Sequence, residues 1–213
     1  MSKIKPTKNE LQRQRDSLRQ FEHYLPTLQL KKQQLQMKIL EARQLWEEKK
    51  TAIDEKEKEI NQWVGLLFDP LLESSGASVD FKKWITPVEI VTEKMNIAGA
   101  NVPLFKDIRF PTAEYDFYMT PLWFDHAIAA LREVVSLLSE MAVIERQIAI
   151  LQRELRITTQ RVNLFEKIKI PECRENIRKI RIYLGDQQAN AVGISKVAKK
   201  KIIVAASELV AVY

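Results

Sequence analysis

Apolar residues recur at alternating steps of three and four near both ends of this chain. From Leu18 the steps land on Phe21, Leu25, Leu28, Lys32, Leu35, Ile39, Ala42, Trp46, Lys49, Ile53, Lys56, Ile60, Trp63 and Leu67. Twelve of these fifteen positions are apolar. A second run takes Val134, Leu137, Met141, Ile144, Ile148, Leu151, Leu155, Thr158, Val162 and Phe165, and nine of its ten are apolar. Seams this long predict helices paired as a coiled coil rather than short globular helices. Thr7, followed three residues later by Glu10, reads as a capping box. The first helix is therefore expected to begin near Thr7 and run to about Phe68, because Asp69 precedes Pro70 and pre-proline residues avoid the α region. Pro26 lies inside it and is expected to kink it without ending the seam.

Residues 69–121 have another character. Pro70, Pro87, Pro103, Pro111 and Pro121 fall here, and Glu-Ser-Ser-Gly-Ala-Ser around Gly76 has loop composition. Val88–Ile97 is rich in β-branched residues, and Val102–Phe110 is a second strand-like run. The turn Ala98-Gly-Ala-Asn101 joins them, with Gly99 free to take positive φ. Pro103 lacks an N–H and should sit on an edge or at a strand start. Since an isolated two-stranded hairpin is marginal in water, it must lean on the helices or on a partner. It is expected at the fold-back end, away from both termini.

The second long helix is expected after Pro121, with Thr120 as N-cap and Pro121 at its first position. It should reach about Ile170, where Pro171 breaks or kinks it. Beyond, Cys173, Ile177, Ile180, Leu184, Ala191, Ile194 and Ala198 resume a mostly three-four pattern. The expected organisation is an amino-terminal helix (1–68), a middle loop and β-hairpin region (69–121) and a carboxy-terminal helix with an overhanging tip (122–213). The fold class is mainly all-α: a long antiparallel, left-handed two-helix coiled coil with a short β-hairpin in its middle insertion. The expected register sets Leu67 near Val134, Leu18 near Tyr183 and Ile4 near Val197. The run Ile202–Tyr213, with only Ser207 and Glu208 polar, is then left for a partner to cover.

Composition narrows the class. A hydrophobic share of 46% argues against global disorder. One cysteine, Cys173, cannot form an internal disulfide, which suits a reducing compartment. The amino terminus lacks the apolar core of a signal peptide, and no apolar stretch nears the roughly 20 residues that span a bilayer. A cytoplasmic chain is expected. The net charge of +6 is unevenly spread: +6 over residues 1–50 (12 basic, 6 acidic), −7 over 51–150 (9 and 16) and +7 over 151–213 (13 and 6). Folding back gathers the basic portions at one end, which would attract an acidic surface or nucleic acid. No phosphate loop is present, and His23 and His126 have no ligand spacing. Cys173 has no neighbouring His and reads as a small buried hydrophobe. Trp46 and Trp63 read as packing. Arginine and aromatic residues do not interleave as a nucleic-acid platform requires. Thus no catalytic residue, metal or cofactor is expected. Lys32, Lys49 and Lys56 break the seam; either their ammonium groups snorkel to water or they mark a splay or a third partner.

Three segments resemble a known family. Pro6-Thr7-Lys8 with Leu11, Leu18 and Leu28–Leu35 is similar to its amino-terminal helix. Asn96-Ile-Ala-Gly-Ala-Asn-Val-Pro103, carrying Ile97, Gly99 and Pro103, is similar to its middle hairpin. Thr158-Thr-Gln-Arg-Val-Asn-Leu-Phe-Glu166 before Ile170-Pro171, carrying Arg161, Val162, Asn163 and Glu166, is similar to its most specific motif, although Gln160 stands where Arg is common. The family is that of the D subunits, the central rotor shafts of V-type and A-type rotary ATPases. The resemblance implies a non-catalytic axle inside a hexamer of A and B subunits. It implies that the F subunit lies alongside and that a socket subunit (C or d) sits above the membrane ring. It couples ATP hydrolysis or synthesis to proton or sodium transport, in the cytoplasm and peripheral to the membrane. On that footing Lys199, Lys200, Lys201, Ile202, Ile203 and Tyr213 are the expected hexamer-facing tip. The alternatives are a non-motor coiled-coil adaptor or secretion-stalk protein, and less so a nucleic-acid-binding coiled coil.

Overall fold

A computed structural model describes residues 5–65, 81–114 and 123–210. The chain is dominantly helical with one two-stranded antiparallel sheet, matching the expected class. In order come α1 (Lys8–Asn61), α2 (Phe81–Ile85), β1 (Glu89–Ile97), β2 (Ala100–Arg109), α3 (Phe124–Leu164), a π-helical turn (Phe165–Lys169) and α4 (Ile170–Val210). The expected features at Leu67, Asp69-Pro70, Gly76, Thr120-Pro121 and Tyr213 lie outside the described residues. Among the described residues, no helix is long and apolar enough to cross a membrane.

The Thr7 cap forms as half a box. The Glu10 N–H donates to Thr7 Oγ1 at 3.2 Å, but the Glu10 carboxylate accepts from Gln14 Nε2 instead of turning back to the Thr7 N–H. Helix α1 passes through Pro26 without interruption. It ends at Asn61, about two turns before the expected Phe68. There the bonds tighten: the N–H groups of Gln62 and Trp63 donate to the carbonyls of Glu59 and Ile60. Gly65, a poor helix former, follows directly.

The chain divides into two compact units. One comprises Lys31–Thr158, and the other Met1–Leu30 with Thr159–Tyr213. In the first unit α1 and α3 are antiparallel. Lys49 pairs with Glu140 at 2.8 Å, and Lys56 with Glu133 at 3.4 Å. The seam residues Leu35, Ile39, Ala42, Ile53 and Ile60 of α1 are buried, as are Val134, Ile144, Leu151 and Thr158 of α3. The expected register was therefore wrong by about three turns, since Val134 stands beside Glu133, which reaches Lys56 rather than the neighbourhood of Leu67. Two of the three seam lysines carry their ammonium groups out to the surface, as the first of the two expectations had it, and find partners there. Lys49 and Lys56 cross to carboxylates on α3, which satisfies the charge and marks the register.

The hairpin refines a second expectation. Its base lies near the start of α3, where Arg132 holds Trp84 and Pro111, but its turn reaches back along the helices. Ala100 and Val102 of β2 share one buried core with Leu35 and Ile39 of α1 and Leu151 of α3, and Ile97 and Ala98 pack against it. These helix positions lie far from the end of α1 at Asn61. The turn is a two-residue loop with positive φ at both centres, Ala98 (50°) and Gly99 (81°), the geometry whose twist matches that of paired strands. Asn96 Oδ1 accepts the Gly99 N–H at 2.9 Å, which holds the loop. A register shift between Val91 and Thr92 makes Lys106 the extra residue of a β-bulge. We expect Gly99→Ala to destabilise the chain by about 1–2 kcal/mol in urea unfolding, because φ is positive and the new Cβ would lie 3.3 Å from Lys31 Nζ.

In the second unit, residues 8–30 of α1 run antiparallel to α4. Phe21 and Phe165 contact at 5.0 Å between ring centres, and Glu22 pairs with Arg174 at 2.8 Å. Pro6 shares a groove with Ile180 and Tyr183, and Leu18 shares one with Ile177, again unlike the expected Leu18–Tyr183 pairing. Pro171 neither breaks nor ends the helical path. The ladder widens over Phe165–Lys169, so that the Ile170 N–H donates to the Phe165 carbonyl, five residues back. Pro171 then falls in the first turn of α4, where a missing N–H is tolerated. The widened turn relieves the clash its ring would have with the carbonyl four residues earlier.

Candidate interaction surfaces

Helix α4 outruns its partner. Helix α1 begins at Lys8, beside Ile180 and Tyr183, and α4 continues well past it. Every residue from Gly185 to Val204 is exposed. The overhang is thus much longer than the sequence suggested. It carries Lys196, Lys199, Lys200 and Lys201 together with exposed Val192, Ile194, Val197, Ile202, Ile203 and Val204. At about 100° per residue, these six apolar side chains point in all directions round the axis. A helix docking on one flat partner concentrates its apolar groups in one stripe. A bare helix that is apolar all round, with lysines interspersed, fits an enclosing sleeve.

The hairpin offers a second surface. Its inner face is closed by Ala100 and Val102, while Val88, Ile90, Met95 and Leu104 are exposed. Of the sequence-selected residues, Ile97 packs on the core, Gly99 makes the turn, and Pro103 anchors the sheet: its carbonyl accepts from Gln147 Nε2 of α3 at 2.6 Å. In an extended strand a residue's N–H and C=O share one edge, so the donor Pro103 lacks falls on the outer edge and not on the ladder. The base of the insertion is held by Arg132. Its guanidinium donates to the carbonyls of Trp84 (3.1 Å) and Pro111 (2.7 Å) and covers the Phe110 ring. Neither Gln147 nor Arg132 was found by sequence reasoning, since a lone polar residue on a helix carries no signal of the backbone it will meet.

The third motif divides between packing and surface. Val162 is buried, whereas Arg161, Asn163 and Glu166 are exposed, with Glu166 on the π turn. Cys173 is buried, and burial raises its thiol above the ordinary range, with the Glu172 charge adding to this. Trp46 is not packing alone: its Nε1–H donates to Glu145 Oε1 at 3.0 Å, and Lys50 lies over its ring. The Lys56 ammonium is held above its usual range, first by its hydrogen bond to Glu59 and then by the charge of Glu133. Among the described residues no group of three or more His, Cys, Asp or Glu side chains could hold a metal ion.

Comparison with known proteins gives a consistent picture. The family model for the D subunit of ATP synthase matches residues 10–200. The V-type ATP synthase D subunit of Borreliella burgdorferi is 42% identical over 203 residues, covering 95% of this chain and 96% of the relative. Proteins of the same name from Chlamydia trachomatis and Chlamydia abortus are 36% and 39% identical, each over 94% of this chain.

Proposed function

This chain belongs to the family of ATP synthase D subunits, which form part of the central stalk of the rotary ATPase, and we propose that within that complex it is the non-catalytic axle. The observation that carries the reading is the bare end of α4: a helix with apolar side chains on every side and lysines at Lys196 and Lys199–Lys201. Inside a ring of A and B subunits such an end is covered on all sides at once. An apolar sleeve has little angular preference, whereas deep, complementary contacts would trap one angle. The lysines meet acidic loops at the mouth of the ring. Paired helices resist twisting better than a single one, so torque passes along α1 and its partners.

The other partners are those the family resemblance implies. The F subunit lies alongside the paired helices, and a socket subunit (C or d) receives the end away from the overhang, above the membrane ring. The outer face of the hairpin, with Val88 and Ile90, meets a neighbouring protein of the complex. Arg161, Asn163 and Glu166 present polar groups to the surroundings of the π turn. The complex holds the chain in the cytoplasm at the membrane surface, and ion flow there is linked to ATP hydrolysis or synthesis in the ring.

The test is a reconstituted complex of this chain with A and B subunits, the ring fixed to glass and a bead attached to the hairpin. ATP should drive rotation of the bead in one direction. Cross-linking the α4 overhang to the ring should stop both rotation and sustained ATP turnover. Full turnover with the shaft locked would refute the axle.

A further inference from the structure

A groove between α1 and α4 is lined by four arginines. Arg15 and Arg19 stand on successive turns of α1, and Arg174 and Arg181 lie two turns apart on α4, with Leu18 and Ile177 between them. The cavity measures about 550 Å³. Glu22 is the one carboxylate in its lining, and Arg174 occupies it at 2.8 Å. Four positive charges against one negative leave the groove at +3. Among the described residues, Arg15, Arg19 and Arg181 form no ion pair. Solvation accounts for Arg19 and Arg181, which are exposed. It does not account for Arg15, whose Nε–H is buried and meets no acceptor among the described residues. A buried donor without an acceptor is costly, and here three neighbouring guanidinium groups raise that cost by repulsion.

We propose that this groove binds a phosphate-class oxyanion bearing two or more charges, such as pyrophosphate or the phosphate chain of a nucleotide. Guanidinium forks match the paired oxygens of a phosphoryl group, and several forks can share one chain of them. A single inserted carboxylate would cancel one charge of the three, whereas a diphosphate or triphosphate matches the excess. An anion there would also screen the repulsion that the Arg15 guanidinium meets from its three neighbours. A fixed ring cannot keep an acidic loop in so charged a groove without pinning the shaft at one angle, but a small anion turns with the shaft. The choice of an ion over a partner's loop rests on the axle role; binding to the isolated full chain tests the groove whether or not that role holds.

The experiment is isothermal titration of the full chain with pyrophosphate, tripolyphosphate, ATP and sulfate at matched, low ionic strength. Tripolyphosphate should saturate a single site at least about tenfold more tightly than sulfate. ATP should equal tripolyphosphate if the phosphate chain is all that is read, and exceed it if the base adds contacts. Arg15→Gln with Arg19→Gln should weaken tripolyphosphate by at least about tenfold with helix content unchanged. Arg15→Lys, which keeps the charge but not the fork, should fall between that variant and the native chain. If Arg15→Gln disturbs folding, Arg19→Gln alone, at an exposed position, should still cost about threefold. Absent binding, equal affinity for sulfate and tripolyphosphate, or undiminished binding by the double variant would overturn the proposal. So would a double variant that loses the ring while the native chain ignores tripolyphosphate, which would make the groove a protein contact.

Discussion

Replacing Leu35 by Ala should lower the unfolding free energy by about 3 kcal/mol. Leu35 is fully buried, 0% exposed, at the point where α1, α3 and β2 meet. Truncation there removes the transfer energy of the side chain and leaves a cavity that two helices and a strand cannot close together. Val102, also 0% exposed, faces the same core from the sheet. Val102→Asp should be more severe, because it places a charge beside Leu35, Ile39 and Leu151 with no counter-ion among the core residues. The two variants should differ in kind. Leu35→Ala weakens the helix pair and the sheet together, whereas Val102→Asp should release the hairpin first. Amide exchange distinguishes them: in Val102→Asp the protection of residues 89–109 should collapse while that of residues 134–151 persists. Equal loss in both segments would show that helices and hairpin form one cooperative unit. Deleting the hairpin is a poor probe of its role, since that bares the same apolar residues. Substitutions on its outer face, at Val88 and Ile90, leave the core intact.

Cutting the chain after Asn190 should abolish retention in the A/B ring while moving the melting temperature of the remainder by no more than about 2 °C. Gly185–Val204 is exposed throughout, so the rest of the fold gains nothing from its presence. All of its apolar surface is instead available to a surrounding sleeve. Reversing Lys199, Lys200 and Lys201 to Glu separates charge from apolar contact. Assembly with the ring should slow by about one to two orders of magnitude at low salt, and the deficit should shrink as salt rises, with the dissociation rate nearly unchanged. Surface-plasmon measurements over a salt series read both rates. A truncated chain that melts far lower would show that the overhang packs on its own fold, against the exposure observed. A charge-reversed chain with a normal association rate would remove the lysines from the encounter.

Much of this was legible in the sequence because the deciding interactions are local or periodic. The three-four seam marked the buried faces: Leu35, Ile39, Ala42, Ile53 and Ile60 on one helix and Val134, Ile144, Leu151 and Val162 on the other are all buried. Thr7 capped the helix it was expected to cap. The Ala98-Gly99 turn needed positive φ and has it. Periodicity, however, is blind to translation. A seam repeats every few residues, so it is satisfied equally well after a shift of two or three turns, and the pairing assumed from Leu67 and Val134 was wrong for that reason. The shift is decided by contacts that do not repeat: Lys49 with Glu140, Lys56 with Glu133 and Trp46 with Glu145.

The arginine groove shows the same division. Arg15 and Arg19 were visibly one turn apart, and so was the basic character of both ends. Which face of α4 stood opposite them was not visible, because it depends on that same register. The placement of the hairpin was hidden for a related reason. Its turn chemistry is local, but its resting place depends on where two other elements leave a gap the size of Ala100 and Val102. The sequence by itself determined which residues face inward, where the chain turns and that one end is basic and uncovered. Register, the docking of the sheet and the length of the overhang were decided by tertiary structure alone, because each is set by non-repeating contacts between segments more than forty residues apart, such as Lys49 with Glu140 and Gln147 with Pro103.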